Sequence, residues 1–412
     1  MAPRQGICGL RALSRLAWPS ATLTRPLASQ MPSSPRQSSR SPHHRLNSSI
    51  SNPPKPNQQM PSPSPTPHIH ILGLGNLAKL FAHSLSLLPH PPQLTLLTHR
   101  PSLPPSSPIT LVLTRNSTPL PSPPLELSLI TPQGPAITHL ILTTKSPSSA
   151  AAVAPLLPRL SADSTILFTQ NGIGAVEEVS SLFPADAQPT YLSAIVTHGV
   201  FSTGQFSATH AGVADLKIGP VSGRTSELST SARWLVDTIL SSEALAATEV
   251  GADELLHVTL EKLVANAVIN PLTAIFRIPN GSVLSPSLTP LRTALASETS
   301  LVILSHLSAL HPDSPLPPSK AERFSVARLA AMVEGVCEAT RGNRSSMLQD
   351  VEAGRGTEVG YINGWIVGRG EEMGVGVGVN AGVMGMVERG EVVKIEEVGR
   401  LLERMREGVE GR

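Results

Sequence analysis

Cysteine is almost missing from this chain: Cys8 and Cys337 are the only two in 412 residues. That excludes a disulfide scaffold and leaves no paired cysteine spacing for zinc. Aromatic side chains are only 3% of the sequence while 40% is apolar. The cores must therefore be built from Leu, Val, Ile and Ala, and a surface that stacks nucleic-acid bases is not expected. No run of 18 or more apolar residues occurs, which argues against a membrane-spanning helix. Charge of either sign is in little excess, with 32 Lys plus Arg against 30 Asp plus Glu and a net charge of +2, so no global field favours a polyanion. Clustered His, Cys and carboxylate ligands are also missing, and no metal is expected. The length allows two or three domains.

Acid is missing locally as well, since the first Asp or Glu is Glu126. Residues 1–45 instead carry Arg4, Arg11, Arg15, Arg25, Arg36, Arg40 and Arg45 among many serines. This is the composition of a mitochondrial transit peptide, and on a helix Arg4, Arg11 and Arg15 share one side while Ile7, Leu10 and Leu13 supply an apolar one. The alternative is a basic tail with no address in a cytoplasmic protein. Up to Pro67 the chain is rich in Pro, Ser, Gln and Asn and reads as a linker that cannot recover the entropy of ordering. The expected organisation is a transit peptide and linker over 1–66, an α/β domain over 67–252 and a helical domain over 253–412.

After Pro67 the pattern becomes a short apolar strand, a glycine turn and an apolar helix over 76–88. Further strands are expected at 94–98, 125–130, 138–143 and 165–169, with an Ala-rich helix over 148–160. Strands alternating with helices predict a parallel sheet covered on both faces. Residues 101–124 contain eight prolines and read as a long loop or insertion. Residues 190–219 read as strands and turns, and 226–240 as a closing helix. From Asp253 the periodicity is helical, with helices at 254–269, 288–310 and 320–338 and a charged, solvated helix over 388–406.

The turn Gly73-Leu74-Gly75-Asn76-Leu77-Ala78 has the G-x-G-x-x-G/A form. Its first glycine permits the tight turn, its second lets backbone approach a pyrophosphate, and its third small residue allows close helix packing. With a strand before it and a helix after it, the helix N-terminus presents bare N–H groups to phosphate. An NAD site places an acid about 20 residues further on, and this chain has none. Arg100 ends the second strand instead, so NADPH is the expected cofactor. A plain strand-end arginine is the competing reading.

In the helical half, Lys262, Asn266 and Asn270 are spaced i, i+4, i+8 and share one side of a helix among Leu, Val and Ile. Asn is a poor interior helix former, so a polar row here points to a site rather than to a solvated face. A second cluster runs from Asn343 through Ser345, Ser346 and Glu358 to Asn363 and Gly364. Helix capping at Ser345 or Ser346 and a helix end at Gly364 is its structural reading. His198 and His210 lie in strand and turn segments with no partner at ligand spacing, and hydrogen bonding is favoured for them over catalysis.

Taken together, the glycine turn, Lys145 after Leu-Thr-Thr, Asn171-Gly-Ile-Gly174, the Lys262–Asn270 helix, Pro279-Asn280-Gly281 and the Ser345–Gly364 segment resemble the ketopantoate reductases (2-dehydropantoate 2-reductases). The resemblance runs from about His68 to about Asn380. It implies a Rossmann-type dinucleotide-binding domain followed by an all-α domain of the 6-phosphogluconate dehydrogenase type, with the site between them. It implies Lys262 as general acid with Glu358 assisting, and substrate contacts from Asn171, Asn266, Asn270, Asn280 and Ser346, which Asn343 could join. Lys145, Asn171 and Glu358 are implied to lie against the cofactor. Two features depart from the pattern: Ala78 replaces the usual third glycine, and the 101–124 segment is unlike compact relatives. The expected activity is NADPH-dependent reduction of 2-dehydropantoate to pantoate. The expected partners are a small 2-oxo acid and a second copy of the chain, with no nucleic acid or membrane. A reductase of another branched 2-oxo acid is the near alternative. A non-catalytic NADPH sensor is the distant one, and it has no need for the Lys, Asn, Asn row.

Overall fold

The computed structural model describes residues 67–99, 108–223 and 227–410. The expected transit segment and linker, and Arg100, lie outside them. The α/β part runs β1 (His68–Leu72), α1 (Asn76–Ser86), β2 (Gln93–Thr98), β3 (Val112–Arg115), β4 (Thr118–Pro121), β5 (Glu126–Leu129), β6 (His139–Leu142), α2 (Ser149–Val153), β7 (Thr165–Phe168), α3 (Ala175–Ser180) and β8 (Thr190–Val196). It continues through β9 (Gly199–Gly204), β10 (Ser207–Gly212), β11 (Leu216–Pro220), α4 (Thr230–Leu240) and β12 (Ala247–Glu249). The helical part is α5 (Ala252–Phe276), α6 (Thr289–Ala309), α7 (Pro318–Arg323), α8 (Val326–Ala339), α9 (Ser346–Glu352), α10 (Val359–Met373), α11 (Gly378–Glu388) and α12 (Val398–Glu410). Among the described residues no helix is long and apolar enough to cross a membrane.

The main sheet has the order β12-β11-β8-β7-β6-β1-β2-β5. Its strands pair in parallel except for β8 with β11. The chain starts at β1, winds outward through β2 to β5, then returns to the other side of β1 at β6. That reversal is the switch point of a doubly wound sheet, and its carboxyl edge opens the crevice where such folds bind ligands. The central strands read as continuous apolar runs because both faces are covered; Ile69, Ile71, Leu140, Ile141, Ile166 and Leu167 are fully buried.

The 101–124 segment is not simply a loop. Its second half forms the hairpin β3–β4, turned by Asn116 and Ser117 at φ 47° and 62°. These strands join β10 and β9 in a separate sheet of order β4-β3-β10-β9. Prolines hid the hairpin because Pro119 and Pro121 lie on β4, an edge strand that can lack donors. The sheet is fastened to α1 through Lys79, whose Nζ donates to Ser202 Oγ (2.7 Å), Gly204 O (2.7 Å) and Ser207 O (3.0 Å).

Four other expectations need correction. Gly364 does not end a helix but lies inside α10. The Ala-rich stretch is α-helical only over Ser149–Val153 and tightens into a 3₁₀ helix over Ala154–Arg159, where Pro155 and Pro158 lack the N–H groups an α-helix needs. Helix α5 does not stop before Pro271 but continues through it to Phe276. The charged tail helix begins at Val398 rather than 388, and it buries Val398, Leu401, Leu402 and Met405 at helical spacing instead of standing free in solvent. Helix α5 is the axis of the helical part, packed by α6, α8, α9, α10 and α11, which explains its nearly unbroken burial.

Candidate active site

The glycine turn stands at the switch point. Gly73 takes φ +117°, and a Cβ there would lie 2.8 Å from Thr143 Oγ1 at the end of β6. Gly75 is the N-cap of α1, contributes no side-chain cap and is followed by no acid in the first turn. The first N–H groups of α1 are therefore open toward the crevice, and this arrangement fits a pyrophosphate. Ala78 is fully buried, so a methyl group is accommodated where the pattern more often has glycine. Leu74 and Leu77 pack against the core beside it. Asn76 is engaged elsewhere, donating from Nδ2 to Val200 O at 3.0 Å.

Next to the turn, the loops after β6 and β7 meet the start of α10. Glu358 is the N-cap residue of that helix, and its side chain bonds across the junction rather than back to the helix. Its Oε1 accepts from the Ser146 backbone N–H (3.1 Å) and lies 3.1 Å from Ser146 Oγ, while its Oε2 accepts from Asn171 Nδ2 (3.0 Å). The single Ser146 hydroxyl proton is shared with Asn171 O at 2.7 Å, so the serine ties both loops to the carboxylate. Gly172 makes the approach feasible: at φ +78°, any Cβ would fall 2.3 Å from Tyr361 O. Ile173 N–H donates to the same Tyr361 oxygen at 2.9 Å. The Tyr361 hydroxyl donates to Glu178 on α3, closing a second link across the same junction. Lys145 adds a third, with its Nζ 2.8 Å from Gly356 O and 2.5 Å from Asp350.

Lys262 comes from α5. Its Nζ donates to Val196 O, at the carboxyl end of β8, at 2.7 Å. Burial of the ammonium lowers its pKa to about 8, against the opposing attraction of Glu358. One of its three protons is committed to Val196, which leaves donors for a reacting oxygen. Asn266 and Asn270 follow on the same face, half-buried and buried respectively, and neither side-chain amide has a hydrogen-bond partner among the described residues. Amides free of protein partners on the same face as the Lys262 ammonium can bond a polar ligand.

The other expected residues are less central. Asn280 is buried, donates to Thr340 Oγ1 at 2.9 Å and keeps its Oδ1 unpartnered. Asn343 accepts the Asn280 N–H at its backbone oxygen. Ser345, not Ser346, caps α9: its Oγ accepts from Leu348 N–H and sits 2.6 Å from Thr273 Oγ1, which leaves Ser346 exposed on the first turn. Ser146, Gly172, Tyr361 and Asp350 were not singled out by the sequence reading as site residues. Only the adjacency of Ser146 to Lys145 and of Gly172 to Asn171 could have drawn attention to them.

His198 and His210 form a closed chain of their own. Arg115 Nε donates to His210 Nδ1 (2.9 Å), His210 Nε2 lies 3.0 Å from His198 Nδ1, and His198 Nε2 lies 2.8 Å from Leu245 O. Since a carbonyl only accepts and an arginine only donates, each ring must be neutral with its proton on Nε2. Burial pushes the pKa of His198 down and that of His210 to about 4.

Comparison with known proteins agrees with this architecture. The family model described as "Ketopantoate reductase PanE/ApbA" matches residues 69–223, and "Ketopantoate reductase PanE/ApbA C terminal" matches 254–391. The chain is 33% identical to the 2-dehydropantoate 2-reductase of Vibrio cholerae over 248 residues, 59% of this chain and 74% of that one. It is 32% identical to a ketoisovalerate reductase of Gibberella fujikuroi over 305 residues, 65% of this chain and 68% of that one. The crystal structure of a PanE/ApbA family ketopantoate reductase from Ralstonia eutropha superposes with a TM-score of 0.63 at 20% identity, covering 78% of this chain and 98% of that one. With a doubly wound sheet, a helical second half and both family matches in chain order, the protein belongs to the ketopantoate reductase family.

Proposed function

We propose that the protein reduces 2-dehydropantoate to (R)-pantoate with NADPH, a step toward pantothenate and coenzyme A. The observation that carries this reading is the Lys262 ammonium, under the influence of Glu358 and at the head of the unpartnered Asn266 and Asn270 amides. The residues that would hold the dinucleotide are the Gly73–Ala78 turn and the bare N-terminus of α1, with Arg100 for the 2′-phosphate. When bound, the reduced nicotinamide supplies the hydride that adds to C2 of the oxo acid. Lys262 then gives a proton from Nζ to the oxygen that becomes negative as the C=O bond is reduced, and takes one back from water. Val196 O fixes the direction of Nζ, and Glu358 favours its charged form. Asn266, Asn270 and Ser346 orient the carboxylate and the remaining polar groups of the substrate.

A second reading, reduction of ketoisovalerate, is favoured by the Gibberella fujikuroi relative. That acid lacks the hydroxyl of 2-dehydropantoate. The amides of half-buried Asn266 and buried Asn270, which have no protein partner among the described residues, support the hydroxyl-bearing acid, since an apolar end would offer them nothing to bond. Steady-state kcat/KM for the two acids with NADPH decides between them: the expected preference is for 2-dehydropantoate, and a higher value for ketoisovalerate assigns the second reading.

NADPH over NADH rests on Arg100 and the missing acid after β2. Arg100→Ala is expected to weaken NADPH by roughly 1.5–3 kcal/mol, the range of a charge-assisted hydrogen bond, and NADH far less. Equal losses for both would place the 2′-phosphate contact elsewhere. Mitochondrial targeting rests on the Arg-rich, acid-free residues 1–45, and their fusion to a fluorescent reporter is expected to enter mitochondria. A cytosolic reporter would remove that proposal.

A further inference from the structure

Pro271 has no N–H, so the carbonyl four residues earlier, Ala267 O, loses its partner inside α5. A buried carbonyl left in that state is costly. The structure meets the need from another helix: Asn363 of α10, fully buried, donates from Nδ2 to Ala267 O at 3.0 Å. The same Nδ2 donates at 3.0 Å to Asn380 Oδ1 on α11. Asn380, also fully buried, is held in turn by Glu298 of α6, whose Oε2 accepts from Asn380 Nδ2 (2.8 Å) and from Asn380 N–H (2.9 Å). Oε1 of Glu298 accepts from Val379 N–H at 2.8 Å. The chain Glu298–Asn380–Asn363–Ala267 thus crosses four helices and ends on the one carbonyl that Pro271 frees.

Its position relative to the site is what gives it a consequence. Ala267 and Asn363 are 96 residues apart, and Lys262 and Glu358 have the same separation, each lying five residues earlier on its own segment. Five residues of helix are about 7.5 Å. The bridge therefore lies about a turn and a half below the Lys262–Glu358 pair on two elements running in the same direction. We propose that Asn363 is a positioning residue: by bridging the carbonyl freed by Pro271 to Asn380, it fixes how α10 sits along α5 and hence where Glu358 stands against Lys262. The inference rests on the reading of Lys262 as proton donor and Glu358 as its partner.

The competing role for Asn363 is simply to satisfy Ala267 O. The two roles separate in a comparison with Pro271→Ala, which returns an N–H to residue 271 and repairs the helix from within. Wild type, Pro271→Ala, Asn363→Leu and the double variant are compared for Tm, for kcat and KM with NADPH and 2-dehydropantoate, and for the pH profile of kcat. The double variant is expected to recover the part of Tm that Ala267 O accounts for, keeping only the loss from Asn380 Oδ1, yet to fall roughly 10- to 100-fold below Pro271→Ala in kcat, the scale of a misplacement near 1 Å. Its alkaline limb is expected to move down from about 8, because the ammonium, otherwise faced by the Val196 carbonyl and Glu358, loses part of the attraction of Glu358. A double variant equal to Pro271→Ala in both kcat and pH profile would overturn the inference. If Asn363→Leu alone does not fold, the Pro271→Ala background and the smaller change Asn363→Ser carry the same comparison. An active wild type with a fully recovered double variant overturns this inference alone. A wild type that reduces no 2-oxo acid overturns the reading of the reaction and this inference with it.

Discussion

Two polar systems meet at the end of β8 and behave oppositely. The chain from Arg115 through His210 and His198 to Leu245 O uses every ring nitrogen it has. The row of Lys262, Asn266 and Asn270 leaves ammonium protons and two amides without protein partners among the described residues. Both begin from the same strand end, since Val196 O holds Lys262 and His198 follows two residues later. The histidine chain is saturated by protein partners, whereas the row on α5 keeps donors and acceptors that a bound oxo acid could use, and that difference in spare capacity is what the following experiments test.

The strongest way to break that comparison is Lys262→Ala. It is expected to lower kcat by roughly 10²–10⁴, the range for a positioned acid, with NADPH affinity changed by less than about threefold. Single-turnover hydride transfer with saturating NADPH and 2-dehydropantoate measures it, and a rate equal to wild type would remove Lys262 from the chemistry. In the intact enzyme the same group sets a pH dependence. Only protonated Lys262 can donate, so kcat for reduction is expected to fall as pH rises through about 8.

A smaller effect is expected from the amides. Asn270→Ala should act mainly on the KM of the 2-oxo acid, raising it about tenfold for each roughly 1.4 kcal/mol of hydrogen bonding removed, while exposed Ser346→Ala should raise it less. An unchanged KM in Asn270→Ala would take the lower end of the row out of the site.

The histidine chain sharpens the contrast from the other side. His210→Phe is expected to leave kcat within about twofold while lowering stability by roughly 1–3 kcal/mol, because Arg115 and the His198 ring lose a buried partner. A large loss of kcat in folded His210→Phe would return the histidines to the mechanism. Because burial depresses the pKa values of both rings in the folded state, to about 4 for His210, the neutral forms favour folding. That contribution is present above the unfolded value of about 6.5 and is lost as pH falls toward the folded values. Tm measured from pH 7 down to pH 4 should therefore decline, and less steeply in His210→Phe.

Much of this was legible in the residues. The glycine turn between an apolar strand and an apolar helix, and the i, i+4, i+8 row on α5, are local patterns whose geometry follows from helix and strand periodicity alone. Pro271 misled because its local effect is to end a helix, and the Asn363 donor that removes the penalty comes from far along the chain. The β3–β4 hairpin was hidden for a similar reason, since its prolines are tolerated only because β4 became an edge. Ser345 and Ser346 could not be told apart by type, and only the Leu348 N–H shows which of them is the cap.

By itself, then, the sequence determined the alternation of strands and helices in the first half, the glycine turn, the helical second half and the polar face of α5, because each rests on spacing within a single segment. Tertiary structure alone decided that Ser146 and Asn171 grip Glu358, that Val196 O aims Lys262, and that the histidines saturate one another. These are contacts between groups distant in sequence, and no local periodicity encodes which buried donor will meet which acceptor.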